Sequence, residues 1–187
     1  MVASALSSAE VAALVGVPER QVRKEVEHGV VGAGEPPRFA FDELVYFRAV
    51  ALLGLSLGVE DRGRLHRAIT EALAGGKTPT SVALSSITEV KIGDIVIELR
   101  ERLNQFERWK SDRVQRDPQI LSGEPTFKGT RLSIRHIGSM LLRGAPAEEV
   151  TDDYPYLSSE DLEFAKLFTA AYPPRGRPRE SHKASHR

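Results

Sequence analysis

Glycine and proline divide this chain before any other feature does. Fifteen glycines and eleven prolines punctuate 187 residues, at Gly16 and Pro18, Gly29, Gly32 to Pro37, Gly75 and Gly76, Pro118, Gly144 and Pro146, Pro155 and Pro173. Proline lacks an amide hydrogen and clashes with the preceding turn of a helix, while glycine closes helices by taking a left-handed conformation. The segments between these breaks carry apolar residues at helical spacing and are mostly short. The chain is thereby confined to short helices and tight turns. The expected fold class is mainly α with short β-hairpins.

Length and composition bound the rest. A chain of 187 residues, 41% hydrophobic and 28% charged, suits one compact domain or two small ones. There is no cysteine, which removes disulfides and thiolate-bound metal and fits a reducing compartment. The most apolar run, Ala49 to Val59, falls short of the roughly 20 residues of a spanning helix. MVASALSSAEV lacks the basic stretch of a secretory signal. A cytoplasmic protein with no membrane segment is expected.

The net charge of zero hides a sorting along the chain. Residues 1–60 hold five cations against eight anions, 61–116 eleven against eight, 117–172 five against nine, and 173–187 five against one. Such blocks suggest segments with different partners, against the plainer reading of solvated faces.

Residues 1–78 read as a winged helix-turn-helix. Ser7 and Glu10 form a capping box ahead of apolar Val11, Leu14 and Val15, and Gly16 breaks that helix. Pro18 opens a second helix, PERQVRKEVEHG, which turns Val22 and Val26 inward and stops at Gly29. Arg20, Gln21, Arg23 and Lys24 lie outward near its start, the end that enters a major groove, where arginine suits guanine and glutamine suits adenine. GAGEPPRFAF then forms a short wing, from which Arg38 can reach a phosphate. A third helix begins near Asp42 and a fourth near Asp61. The order of wing, helix and Leu-Gly turn resembles the MerR-type and excisionase-like families over residues 6–73. A small helical bundle with a solvated cationic face is the competing reading. The unit is acidic overall, so a dimer reading two half-sites is expected rather than a monomer.

Residues 79–116 read as a connector for dimerisation. Gly93-Asp94, flanked by Val90, Ile92, Ile95 and Ile97, predicts a hairpin. A helix from about Glu98 follows, with Leu99, Leu103, Phe106 and Val114 near one face and surface pairs Glu98–Arg102 and Asp112–Arg116. Its cations, Arg100, Arg102, Arg108, Lys110, Arg113 and Arg116, are interleaved with acids and read as a solvated face.

Residues 117–172 read as a three-helix, helix-turn-helix-like unit led by a small hairpin at Lys128-Gly129. Ser133 caps a helix with Ile134, Ile137, Leu141 and Leu142 as its apolar face, Gly144 ends it, and Pro146 opens the next. Ser158 and Asp161 cap the last, which packs through Leu162, Ala165, Phe168 and Tyr172. The second of these helices carries Glu148, Glu149, Asp152 and Asp153, whose charge repels phosphates, so this unit is expected to face protein. Arg131 is expected to pair with Asp152 or Asp153, or to reach across an interface.

DPQILSGEP, KGTR, RGAP and YPYLS resemble, over 117–172, the family catalogued as domain of unknown function 433. Thr126 and Phe127 depart from the short aliphatic residues common there. The resemblance implies a VapB-like type II antitoxin whose partner is a PIN-like ribonuclease toxin. It makes Lys128, Arg131, Arg175, Arg177 and Arg179 the candidate toxin contacts, with the basic segment 173–187 entering a metal-binding carboxylate cluster. The alternative for that segment is a terminus disordered in isolation.

No nucleophile motif, phosphate loop or metal-ligand spacing occurs, and His28, His66 and His136 stand alone. Neither an enzyme nor a cofactor or metal is expected. The reading is an antitoxin that also represses its own operon as a homodimer on operator DNA. The runner-up is a stand-alone regulator with a ligand- or protein-binding rear domain, and a third is an adaptor that touches no DNA.

Overall fold

A computed structural model describes residues 5–32, 34–54, 56–76 and 78–173. Ser7 caps the first helix, α1 (Ser8–Val15): its hydroxyl accepts the Glu10 amide, and the Glu10 carboxylate accepts the Ser7 amide at 2.9 Å. Gly16, at φ +81°, closes α1, and Pro18 sits at the N-cap of α2 (Glu19–Glu27). The chain then turns back so that Phe39 bridges Leu6 antiparallel, through two hydrogen bonds of 2.9 Å. Two longer helices follow, α3 (Phe41–Leu53) and α4 (Val59–Ala74).

A hairpin of β1 (Ser81–Ala83) and β2 (Glu89–Lys91) comes next, with Val82 opposite Val90. This corrects the hairpin expected at Gly93-Asp94, which instead opens α5 (Gly93–Arg113). Ile92, Ile95, Val96 and Leu99 are buried while Ile97 is 52% exposed, a period of three and four rather than two. The Ile92 and Gly93 amides both donate to the Thr80 carbonyl, at 3.0 and 3.1 Å. A side chain on residue 93 would stand 3.3 Å from the Pro79 carbonyl, so glycine here lets α5 begin tight against the hairpin.

The end of α5 runs into β3 (Val114–Gln115), which pairs antiparallel with β4 (Thr126–Phe127). Thr126 also bridges Ser133 across the Lys128-Gly129 turn, with Gly129 at φ +77°. Ser133 then caps α6 (Ile134–Leu142), and α7 (Ala147–Asp153) and α8 (Ser159–Ala171) complete the described chain. Gly138 explains how α6 and α8 meet. A Cβ at that position would lie 2.0 Å from Thr169 Oγ1 and 2.2 Å from the Ala165 carbonyl, so the two backbones touch.

Among the described residues the fold is therefore mainly helical, with two small antiparallel ladders. One apolar core runs through it from Leu6 to Ala171. Helix α1 lies against α8, which joins the front of the chain to the rear. Phe106 and Trp109 of α5 pack on Phe164 of α8, with ring centroids 6.2 and 6.1 Å apart. Each such side chain contributes roughly 1.5–3 kcal/mol through burial.

Candidate nucleic-acid interface

The outer face of α2 gathers the residues that the sequence singles out. Arg20, Arg23 and Lys24 are exposed and Gln21 is half-buried. With Glu27 and His28 they line a shallow depression of about 570 Å³. Arg23 pairs with Glu19 at 2.7 Å, an exposed i, i+4 contact of only a few tenths of a kcal/mol. Among the described residues neither Arg20 nor Lys24 has an ion-pair partner. Arg38 is exposed beside Phe39, on the segment that returns from α2.

The opposite face of α2 holds an unexpected polar anchor. Glu25 is only 3% exposed and accepts hydrogen bonds from Tyr46 Oη at 2.9 Å and from Arg62. Arg62 also lies 3.0 Å from His28 Nδ1, and the Tyr46 ring meets His66 edge-on. Burial first, and then the Glu25 charge, push the Tyr46 hydroxyl far above its ordinary pKa, so it stays a donor. The anchor ties α2 to both α3 and α4. A second carboxylate, Glu43, accepts the amides of Gly32 and Ala40 at 2.8 and 2.6 Å and closes the base of the Arg38 loop. Sequence reading missed both acids. A charged residue at an inward helical position, Glu25 between Val22 and Val26, was the available signal.

A third polar cluster joins front to rear. Tyr172 Oη donates to Glu10 at 2.5 Å, and Lys110 sits over the rings of Phe106 and Tyr172 at 5.4 and 5.5 Å. Burial and the Glu10 hydrogen bond push the tyrosine up to about 12. Burial pushes the Glu10 carboxyl up as well, but hydrogen bonds from Tyr172 and Ser7 prevail and hold it below its ordinary value. Burial opposes the Lys110 charge, and the interactions with Glu107 and Tyr172 together outweigh it and raise the ammonium.

Several cations of α5 are thus tied to neighbouring elements rather than spread on a solvated face. Arg113 binds Asp161 and Glu160, each at 2.7 Å, and lies over Trp109. Arg100 covers Phe41. Glu98 pairs with Arg48 of α3 at 3.1 Å, not with Arg102 as the i, i+4 spacing suggested.

In the rear unit Glu148, Glu149, Asp152 and Asp153 are all exposed on α7. A groove of about 780 Å³ runs beside them between α6, α7 and α8, lined by Leu141, Ala145 and Leu162 with Glu148, Asp152 and Lys166 at its rim. Lys128 and Arg131 are exposed on the turn after β4. The pairing expected of Arg131 with Asp152 or Asp153 does not occur; among the described residues Arg131 forms no ion pair. The structural arginine is Arg135, four residues on, which binds both Glu124 oxygens at 3.0 Å and the Tyr172 carbonyl at 2.9 Å. Arg175, Arg177 and Arg179 lie outside the described residues. Among the described residues no group of three or more acids and histidines is placed to hold a metal, and no helix is long and apolar enough to cross a membrane.

Fold and site together define a helical protein in which two helix pairs present faces of opposite charge. The rear pair is identified more narrowly: residues 114–169 match the family model described as protein of unknown function DUF433. The uncharacterized protein y4eO of Sinorhizobium fredii (strain NBRC 101917 / NGR234) is 32% identical over 66 residues, 35% of this chain. The alignment spans 30% of that relative's length. A crystal structure of a DUF433 member from Anabaena variabilis shares 25% identity, covering 41% of this chain and 75% of its own, with a TM-score of 0.32.

Proposed function

We propose that this chain is a DNA-binding antitoxin: the front unit reads an operator upstream of its own reading frame, and the rear unit holds a PIN-like ribonuclease toxin. The observation that carries this is the opposition of two helix faces. Helix α2 offers Arg20, Arg23 and Lys24 to solvent, while α7 offers four carboxylates. Phosphates favour the first and are repelled by the second. The buried Glu25–Arg62 pair supports the reading, because a reading helix must be held in one orientation to select bases. Lys128 and Arg131, exposed on the rear turn, are the toxin contacts of this proposal. Two copies reading two half-sites would offset the acidity of the front unit.

Fluorescence anisotropy with a duplex from upstream of the reading frame tests the first half. Binding should weaken steeply with salt and with Arg20→Ala, Arg23→Ala or Lys24→Ala, and salt-insensitive binding would count against it. Co-purification with the product of the adjacent reading frame tests the second half. The apolar groove between α6, α7 and α8 favours a second reading, a stand-alone regulator with a small-molecule effector. That reading requires a duplex affinity that responds to metabolites and no companion protein.

A further inference from the structure

Resting on the reading of the rear unit as a protein-binding module, we propose that a trough along α8 seats a cationic amphipathic helix of the partner protein. Two adjoining grooves make the trough. The first, of about 780 Å³, lies between α6, α7 and α8. The second, of about 530 Å³, continues from it between α1 and α8, and Glu163 and Lys166 line both. Helix α8 borders the trough from Ser159 to Ala170, ~16 Å at about 1.5 Å per residue, or three helical turns. Leu141, Leu142, Leu162 and Leu167 give it apolar surface, and the small residues Ala13 and Ala145 leave width for a second helix.

The rim decides the sign of the occupant. Glu148, Asp152 and Glu163 line the first groove against a single cation, Lys166. None of the three carboxylates has an ion-pair partner among the described residues. Carboxylates gathered round apolar surface repel one another, and a cleft of one sign draws and orients the opposite charge. The walls decide its backbone. They are the sides of helices rather than a sheet edge, so an extended peptide would find no row of partners for its amides. A helix satisfies its own. The matching segment therefore carries apolar residues at i, i+3 or i+4 and i+7, flanked by lysine or arginine.

The chain itself offers no such segment. Among the described residues the large apolar side chains exposed on helices are Leu52, Val59, Ile97 and Leu142, one each on α3, α4, α5 and α6. No described helix of a second copy thus has an apolar ridge to lay in the trough. Residues 173–187 have the charge, five cations against one anion, but no leucine, isoleucine, valine, methionine or aromatic residue to cover the leucines. The chemistry that fits is that of a different polypeptide.

The test measures binding of the full chain to the immobilised product of the adjacent reading frame, at low and at high salt. Two variants separate charge from shape, both at exposed positions and both checked for folding by thermal unfolding. Glu148→Lys/Asp152→Lys should weaken binding about tenfold and remove most of its salt dependence. Thr151→Trp fills the first groove and keeps every charge, so it should weaken binding by a similar factor and leave the salt dependence in place. Loss in the first variant with parent-like binding by Thr151→Trp overturns the seated helix and leaves mere attraction to the rim. Parent-like binding by both overturns the trough while the protein-partner reading stands, whereas no binding by the parent removes the two together. A parent chain that sediments as a dimer, split by Thr151→Trp, assigns the trough to a second copy and overturns the proposal. So does a metabolite that raises the unfolding temperature of the parent but not of Thr151→Trp, which assigns the trough to a small ligand.

Discussion

Gly16-Val17-Pro18 and Gly144-Ala145-Pro146 turn the same corner at opposite ends of the described chain. In each, a short helix ends, a glycine takes a left-handed conformation (φ +81° and +96°), and a proline caps the next helix in extended backbone (φ −63° and −60°). Beyond the corner the two helices diverge in every exposed position: three cations on α2, four carboxylates on α7. Their supports diverge as well. Helix α2 is held from below by a buried ion pair, whereas α7 buries Val150 and leans on an α6 whose backbone meets α8 at Gly138. The corner is a solution to backbone geometry alone. What it presents is set by side chains the corner does not constrain, so one motif presents faces of opposite charge.

Breaking the two supports separately should separate the two corners. Glu25→Ala leaves the Arg62 guanidinium buried without its carboxylate and should cost about 3–5 kcal/mol in urea unfolding. Its near-isostere Glu25→Gln, which keeps an acceptor for Tyr46, should cost less. Gly138→Ala forces a methyl against the α8 backbone and should cost ~3 kcal/mol, the upper end of overpacking. An amide hydrogen-exchange map should show the first loosening α2 and the second loosening α6 and α8. If both mutations opened both regions equally, the supports would not be distinct.

The charge contrast is sharpened by exchanging losses. Removing Arg20, Arg23 or Lys24 should cost about 1–3 kcal/mol of duplex affinity wherever a base contact is lost. Replacing Glu148, Glu149, Asp152 and Asp153 with alanine should leave duplex affinity unchanged or raise it. A marked fall in that variant would put α7 on the DNA. The smallest effect concerns the joint between the two regions. Tyr172→Phe removes one hydrogen bond, about 1 kcal/mol at neutral pH. Its pH signature is more telling. Because the folded-state pKa of Tyr172 is raised from 10.0 to about 12, its contribution is complete below pH 10 and is lost as pH climbs towards 12. Glu10 has the opposite sign: its lowered pKa contributes stability above the ordinary value of 4.5 that disappears as pH falls through the folded value. Tyr172→Phe should flatten both limbs of a stability-against-pH curve, since it also releases the Glu10 carboxyl.

Much of this was legible from local patterns. The sequence predicts Ser7 with Glu10 and Ser158 with Asp161 as caps, and they are caps, because a capping box involves residues three apart and no distant partner. The outward cations of α2 were legible for the same reason. The sequence places a hairpin near Gly93 where the structure has a helix start, because β-branched residues at 90, 92, 95 and 97 satisfy both at once. The Thr80 carbonyl, thirteen residues earlier, settled the choice. Glu25 and Glu43 carry no local sign of their roles, because their partners, Tyr46 with Arg62 and the amides of Gly32 and Ala40, come from other parts of the chain. Gly138 gave no sign in a helix otherwise well formed. Its reason lies on α8.

By itself, then, the order of residues determined where the backbone breaks, which faces of each helix are apolar, and how charge is parcelled along the chain. These depend on steric limits and spacings of three or four residues, which act within a turn or two. Only the tertiary structure decided that α1 lies on α8, that Glu25 faces Arg62, and that Tyr172 reaches back to Glu10. Those contacts join groups far apart in sequence, and they form because burying one apolar core brings their elements together and leaves each buried charge a partner.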